Sequence, residues 1–450
     1  MTEVTLLEML EVREKRAYKQ NELLKRYGST IICFTMNIAG PIKISDSIIR
    51  AFKTGCDKIQ YHISKEQIIY QEFVEEKTGC EAYFVINMDA VSVKKICTLI
   101  EDESKLGRLF DIDVIDSNGE KLDRSCVNGN SRDCIVCGAS GRGCASRRLH
   151  SVVELQFATD KIIYEYFLNE DSNRIGTYVT QSLLEEVFTT PKPGLVDCNN
   201  SGSHKDMDVF TFITSATTLQ SYFSECVRIG QELKNASISE LFSKLQKEGI
   251  LAEEKMLAST NGVNTHKGAI YLFGLLCGSI GRCWCVETPI ASMEEILDIN
   301  KQIAQVSIQK TCKRLENLSS AKTTGEKLIM EYGITGARGE AAEGLPSVMK
   351  IALPIYENLR EKGIEQNRAG YITLLHLIVN VVDTNLYSRG GMDGMSYAME
   401  QAKNLLSINK YPTISEVEHL NLLYVEKNLS PGGCEDLLAV TYFINKLKKE

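Results

Sequence analysis

Apolar residues change their period near residue 170, and no other feature of the 450-residue chain constrains its fold as much. From residue 174 onward almost every periodic segment repeats its apolar side chains at helical spacing, with breaks rich in Gly or Pro. Ahead of that point, short runs with strand character alternate with helical ones. Seven of the eight prolines follow residue 190, and only Pro41 precedes it. The polar run Asn169-Glu170-Asp171-Ser172-Asn173 sits at the changeover. The chain therefore reads as two domains, 1–170 and 171–450, each long enough to bury a core. The first is α/β in the α+β sense. The second is all-α, with no repeat at solenoid periods.

A formal net charge of −8 argues against general binding to nucleic acid or to an anionic membrane surface. The apolar run closest to a membrane span, Ala269 to Ile280, is too short for one. Met1-Thr2-Glu3 opens no cationic-then-apolar leader. The 15 cysteines are scattered, not spaced as a disulfide framework. The expectation is a cytoplasmic protein with mostly reduced thiols.

In the first domain, Leu6, Leu7, Leu10, Ala17, Leu23 and Leu24 give one apolar side to an opening helix that ends near Gly28. Ile31 to Ile38 and Ala82 to Ile86 read as strands, with a helix from about Val91 to Ile100. In Asp111-Ile112-Asp113-Val114 acidic and apolar residues alternate with period two. On a strand this puts both carboxylates on one face and Ile112 and Val114 on the other. Side-by-side carboxylates repel unless a cation lies between them. A hard ion such as Mg²⁺, shared with substrate phosphates, meets that need, and a nucleotidyltransferase-like site is built in this way. An exposed polar strand edge would carry the same pattern. Gly107-Arg108 just upstream supplies a cation for phosphate oxygens.

Cys134, Cys137, Cys144 and His150 follow with the spacing C-x2-C-x6-C-x5-H. Four such ligands suit tetrahedral zinc, and Gly138, Gly141 and Gly143 permit a tight knuckle. The other reading is reduced thiols beside a basic cluster, Arg142, Arg147 and Arg148, which either meets phosphates or covers a helix.

These residues carry a resemblance. Arg13 to Arg16 with Gln20, Met36 to Lys43, Gly107 to Val114, and Arg132 to His150 resemble CitX, the apo-citrate lyase phosphoribosyl-dephospho-CoA transferase, over about residues 5 to 168. The resemblance implies transfer of a phosphoribosyl-dephospho-CoA group to a serine of the citrate lyase acyl carrier (gamma) subunit, with release of pyrophosphate. It implies Asp111 and Asp113 as catalytic metal carboxylates, and Lys43 and Arg108 as substrate-binding cations. Glu103-Ser104-Lys105-Leu106 departs from the family, which has a His-Pro pair before the leucine.

The second domain opens on Thr189-Thr190-Pro191-Lys192-Pro193-Gly194-Leu195-Val196-Asp197, running on to Ser203-His204-Lys205-Asp206-Met207-Asp208. Two prolines two residues apart exclude regular helix, and the charges of such a loop face a ligand or water. Four later segments repeat this chemistry at helix ends. Thr260 to Gly268, with Thr265, His266 and Lys267, precedes an apolar helix, and such helix starts suit phosphate. Gly274 and Gly278 inside that helix permit close packing. Gly333 to Gly344 places Arg338 between glycines and sets Glu340 and Glu343 three apart on one helix face. Asp383-Thr384-Asn385 and Ser388-Arg389-Gly390-Gly391 follow an apolar segment, and Ser430-Pro431-Gly432-Gly433 precedes Asp436. There is no P-loop and no G-x-G-x-x-G.

Together with Thr323 to Lys327, these blocks resemble CitG, the triphosphoribosyl-dephospho-CoA synthase, over about residues 174 to 446. The resemblance implies an all-α domain that joins the ribosyl carbon of ATP to the 2′-hydroxyl of 3′-dephospho-CoA and releases adenine. Breaking an N-glycosidic bond builds positive charge on the sugar, which carboxylates stabilise, while the triphosphate calls for Mg²⁺ with Lys or Arg. Lys192, His204, Lys267 and Arg338 are the candidates for phosphate. Asp197, Asp206, Glu340, Glu343 and Asp383 are the candidates for metal or acid–base duty, and Gly194, Thr265, His266, Asn385, Arg389 and Asp436 complete the expected substrate contacts. The two activities are consecutive, since the second domain's product is the first domain's donor. The alternatives are the equivalent maturation of a malonate decarboxylase carrier, a non-catalytic maturation or binding factor, and a hydrolase that passes the ribosyl group to water.

Overall fold

The computed structural model describes residues 3–139, 141–317, 328, 330 and 335–450. The chain divides into two compact units, Met1–Asn169 and Glu170–Glu450. Thr323 to Lys327, Gly333 and Ile334 lie outside the described residues, as does the Arg142 side chain.

The first unit is a small antiparallel sheet with helices. Its elements run α1 (Leu6–Tyr27), β1 (Thr30–Met36), α2 (Asp46–His62), β2 (Ile68–Glu76), β3 (Gly79–Ile86), α3 (Ala90–Asp102) and β4 (Phe110–Ile115), with strand order β2-β3-β1-β4. Thr5 caps α1 in a reciprocal box with Glu8, and Gly28 at φ 59° ends it in a conformation that favours glycine. On one face of the sheet Phe34 meets the ring of Phe52 from α2 at 5.0 Å and that of Phe110 at 5.2 Å. On the other face Leu23 of α1 joins Ile31, Cys33, Tyr83, Val85 and Ile115. Farther along, that second face turns polar. Thr35 lies between Glu81 and Asp111, and Cys33 lies between Tyr83 and Asp113.

Three sequence expectations need amendment here. Of the apolar side read for α1, only Leu23 is buried, while Leu6 and Leu7 are 77% and 73% exposed, because the middle of the helix meets the sheet through the Arg16–Glu81 and Lys19–Glu72 ion pairs and only its last turns pack apolar groups there. Helix α2 was not anticipated, although Ile48, Ala51, Phe52, Cys56 and Ile59 recur at helical spacing and are buried. Strand β2 was also missed, since it is an edge strand in contact at every other residue only.

After α4 (Gly141–Arg147), α5 (Val152–Phe188) spans the division between the units. Among the described residues the second unit is helical, with α6 (Val209–Glu232), α7 (Ile238–Ser259), α8 (Lys267–Cys283) and α9 (Met293–Asn317) followed by further helices around one main core. No single described helix is long and apolar enough to cross a membrane. Helix α8 is nearly encased, and its glycines set the spacing. A Cβ at Gly274 would lie 2.1 Å from Tyr222 Oη, and one at Gly281 would lie 1.9 Å from Val227 O.

His266, expected to touch substrate, instead turns into this core at the start of α8. It is 3% exposed, and its Nδ1 lies 2.7 Å from Ser215 Oγ, which also accepts from Thr265 Oγ1 at 2.7 Å. One ring nitrogen is thus engaged by Ser215, while Nε2 is buried without a protein partner. Burial, with a smaller contribution from Lys192, pushes its pKa down from 6.5 to about 3. The neutral ring is the folded form, so its contribution is fully present above pH 6.5 and is lost as pH falls toward 3. Going from pH 7 to pH 5 should cost the wild type about 2 kcal/mol more than a His266→Gln variant. Urea midpoints of both proteins at the two pH values measure this, and equal pH shifts would refute a buried neutral imidazole.

Candidate active sites

The loop that opens the second unit is anchored by a buried lysine. Lys192 is fully buried, and its ammonium pairs with Glu186 of α5 and, at 3.1 Å, with Glu435 of the helix Gly432–Leu447. Burial alone would lower the Lys192 pKa, but the two carboxylates outweigh it and raise it. Burial, followed by the Glu435 charge, holds the Glu186 carboxyl well above its ordinary range.

Lys192, Gly194 and Asp197 were expected at substrate and are structural instead. Asp197 Oδ2 accepts from Lys192 N at 2.9 Å, and its Oδ1 accepts from Asn199 N and Asn200 N at 2.8 and 3.0 Å. Gly194, at φ 73°, donates to Asn421 Oδ1 at 2.8 Å, and a Cβ there would lie 2.2 Å from Leu429 O. The reason is common to all three: a proline-punctuated loop has many backbone groups to satisfy once it is buried.

Farther along, the same loop reaches a cavity of about 680 Å³ with His204 and Asp206. Among the helices that start on this cavity are those at Lys267, Thr384 and Gly432, which bring three positive dipole ends to it. Lys267 and Arg389 supply its cations, and Asp206, Glu340, Glu343, Asp383, Glu435 and Asp436 are its carboxylates. Thr265 and Asn385 line it as well. Arg338 does not; its guanidinium lies over the Tyr271 ring, 5.9 Å from the centroid. A helix turn after a glycine carries that side chain to the opposite side from Glu340.

The acids divide by what holds them. Asp383 caps the helix Thr384–Ile408 through Asn385 N and Leu386 N, at 2.7 and 3.0 Å, and takes Cys434 N at 2.8 Å. It fastens two helix starts together. Glu340 is held by the backbone and hydroxyl of Ser347, one residue before a π-helical turn at Val348–Ala352, and burial raises its pKa. Burial, then Glu435, then Asp383 hold the Asp436 carboxyl well above its usual range. Asp206 and Glu343 line the cavity with no hydrogen-bond or ion-pair partner among the described residues.

Arg389 stands just ahead of the break at Gly391, whose φ of 63° interrupts the helix. It donates to Ser203 O at 2.8 Å and to His204 Nδ1 at 3.1 Å. A guanidinium can only donate, so Nδ1 accepts and Nε2–H donates to Ser430 Oγ at 2.9 Å. Burial, then the Arg389 charge, lowers the His204 pKa, which keeps the ring neutral. Glu435 and Ser430 were not among the sequence candidates. The adjoining Gly432-Gly433 and Asp436 were the only available signal for them.

In the first unit, Asp111 and Asp113 share a sheet face, and Lys121 Nζ lies 2.6 Å from Asp113 Oδ2. Partial desolvation in this crowded setting, then repulsion from Asp113, raises the Asp111 carboxyl. At the start of β4 a second cavity, about 970 Å³, is lined by Arg108, Arg124, Arg132 and Arg148. Glu101, buried in α3, orients two of them. It pairs with Arg132 and with Arg124 at 3.4 Å, and it also takes the Ile112 amide at 3.1 Å. Arg108 donates to Asp133 O and keeps a buried Nη1 without a protein partner. Lys43, expected beside it, is not on this cavity; its ammonium donates to Ile38 O at 2.5 Å and closes its own loop. Glu101, Arg124 and Arg132 had no role assigned from sequence, because nothing local shows that a helix-end glutamate is buried.

Comparison with known proteins accounts for both halves. The family described as CitX, apo-citrate lyase phosphoribosyl-dephospho-CoA transferase, matches residues 4–166. The family described as CitG, ATP:dephospho-CoA triphosphoribosyl transferase, matches residues 172–450. Protein CitXG of Haemophilus influenzae is 33% identical over 98% of this chain and 96% of its own length. Protein CitXG of Leuconostoc mesenteroides subsp. cremoris is 33% identical over 99% and 97%. The 2-(5''-triphosphoribosyl)-3'-dephosphocoenzyme-A synthase of Pectobacterium atrosepticum is 38% identical over 63% of this chain and 92% of its own. The chain belongs to the CitXG family, with a CitX transferase domain followed by a CitG triphosphoribosyl transferase domain in one polypeptide.

Proposed function

We propose that the second unit makes the prosthetic-group precursor of citrate lyase and that the first unit attaches it. In the synthase step the C1′–N9 bond of ATP breaks as the 2′-oxygen of 3′-dephospho-CoA bonds to C1′. The hydroxyl proton passes to a carboxylate, and adenine leaves with a proton. The observation that carries this reading is the 680 Å³ cavity, where Asp206 and Glu343 stand unpartnered opposite Lys267 and Arg389. Glu343 is the residue we assign as general base, because Glu340 and Asp383 already serve the protein's own amides and hydroxyls and Asp206 faces the Arg389 charge. Lys267, Arg389 and the three helix starts suit the triphosphate. Neutral His204 orients Arg389 without adding repulsion.

In the transfer step a serine hydroxyl of the carrier subunit attacks the phosphorus nearest the ribose, and the bond to pyrophosphate breaks. Arg108, Arg124, Arg132 and Arg148 suit the departing pyrophosphate. The paired acids on β4 do not line this cavity, but Asp111 feels the charge of its Arg132, and the pair supports a nucleotidyltransferase-like arrangement for the first unit. Asp111 and Asp113 fit a hard cation, since both donors are oxygens and the desolvation and then mutual repulsion that raise Asp111 are relieved by one. The carboxylates of the second unit's cavity fit one for the same reason. Mg²⁺ bound there would offset phosphate charge.

Glu343→Gln should slow adenine release from ATP and dephospho-CoA by about 10²- to 10⁴-fold. It should leave carrier modification intact when triphosphoribosyl-dephospho-CoA is supplied. Asp111→Asn should do the reverse, releasing adenine normally while the carrier's mass stays unchanged. Mass spectrometry of the citrate lyase carrier subunit, with adenine measured chromatographically, reads both. If Glu343→Gln releases adenine at the wild-type rate, another group is the base; if Asp111→Asn still loads the carrier, that aspartate is not at the transfer site.

A further inference from the structure

We propose that Cys134, Cys137, Cys144 and His150 bind one zinc ion, which fixes the wall of the arginine-lined cavity in the first unit. Each residue offers one ligand atom, and the four atoms all lie within 4.8 Å of one another. Cys137 Sγ is 3.5 Å from Cys144 Sγ and 3.3 Å from His150 Nε2. Zinc–sulfur bonds of about 2.3 Å in a tetrahedron set neighbouring sulfurs roughly 3.8 Å apart, so small side-chain adjustments place all four around a central ion.

The backbone is shaped for it. Cys134 N donates to Ala139 O at 2.7 Å, and Gly138 N donates back to Cys134 O at 2.9 Å. Gly138 closes this turn at φ 71°, in open space, so the requirement is conformational. Helix α4 brings in Cys144, and a left-handed residue, Arg148 at φ 50°, turns the chain so that His150 faces back.

An independent observation concerns what else could hold this segment. Between Ile115 and Ile163 the only buried hydrophobic residue among those described is Cys144. A stretch this long with no apolar core of its own needs a cross-link to keep one conformation. The cysteines are free, and a Cys137–Cys144 disulfide would leave Cys134 and His150 without purpose. Three sulfurs and one imidazole suit zinc better than a cluster that takes four thiolates. Binding would release the three thiol protons to solvent and leave a site of net charge −1, close to the cationic side chains of the cavity. Cys134, Cys144 and His150 line that cavity together with Arg132 and Arg148, so the ion would position arginines and would not itself meet substrate.

The test uses the full chain, purified without a histidine tag from zinc-supplemented cells. Elemental analysis should find roughly one zinc per chain, and the protein reconstituted with Co²⁺ alone should show thiolate-to-cobalt charge transfer and tetrahedral d–d bands. Cys137→Ser should lose at least tenfold in metal affinity, whereas Cys126→Ser, an exposed cysteine of the same unit, should not. Should Cys137→Ser not fold, His150→Ala keeps three thiolates and should shift the d–d bands while retaining charge transfer. Folded wild-type protein that takes up no zinc and gives no tetrahedral cobalt spectrum would overturn the proposal. So would a Cys137–Cys144 disulfide in protein kept under reductant. Because the readout is the metal, the result does not depend on either proposed reaction.

Discussion

A lysine with no exposed surface, held between Glu186 and Glu435, is the interaction on which the second unit depends. Removing one partner of such a cluster leaves an uncompensated buried charge, which costs about 3–5 kcal/mol. Its position explains why the cluster is ionic. Lys192 belongs to the opening loop, Glu186 to α5, and Glu435 to the first turn of the helix Gly432–Leu447. One ammonium therefore fixes where a loop, a helix end and a helix start meet. His204 and Asp206 reach the cavity because the residues ahead of them are pinned there, and Asp383 then ties the same helix start to its neighbour.

The two cavities are built with opposite charge, and the difference follows from the chemistry each supports. The second unit's cavity has six carboxylates against Lys267 and Arg389. An excess of acid suits a sugar that becomes cationic as its base departs, and it would repel a triphosphate were it not for helix dipoles and bound cations. The first unit's cavity is lined by four arginines. Arginine suits a leaving pyrophosphate, which gains charge as its bond breaks. With both in one polypeptide, the shared intermediate is made at high local concentration near its consumer.

Much of the second unit's cavity was legible because many of its residues sit at or near helix ends, which sequence marks with glycine, proline and small polar residues. Asp206, Lys267, Glu343 and Arg389, read in this way, all line it. What was not legible is burial. Lys192, Asp197 and His266 look like ligands in a polar loop, and only the folded chain shows their charges and ring nitrogens committed to α5, to the loop's own amides and to Ser215. Glu435 escaped notice for the converse reason: its meaning comes from a lysine more than 200 residues away. In the first unit the period-two alternation of Asp111 to Val114 was readable from one segment. The arginine cavity was not, because Glu101, which orders it, reads as one more polar residue at a helix end.

That cavity also shows how like charges can be held ready for an anion. Burial, then Arg132, then Arg124 lower the pKa of Arg108, so the protein itself works against keeping the guanidinium charged. Glu101 and the Phe110 carbonyl offset part of the repulsion by binding Arg124 and Arg132, but they leave Arg108 Nη1 buried and unpartnered. The remaining strain is electrostatic and is relieved only by a negative group placed among the arginines. Donors fixed in advance need not reorganise when that charge arrives, and for a departing pyrophosphate this is worth more than the same cations on mobile side chains. A wall that carries Arg132 and Arg148 but buries almost no apolar surface could not hold them against their own repulsion by packing alone. The preorganisation therefore has to come from polar ties and cross-links: Glu101 supplies the ties, and the zinc proposed above would supply the cross-link.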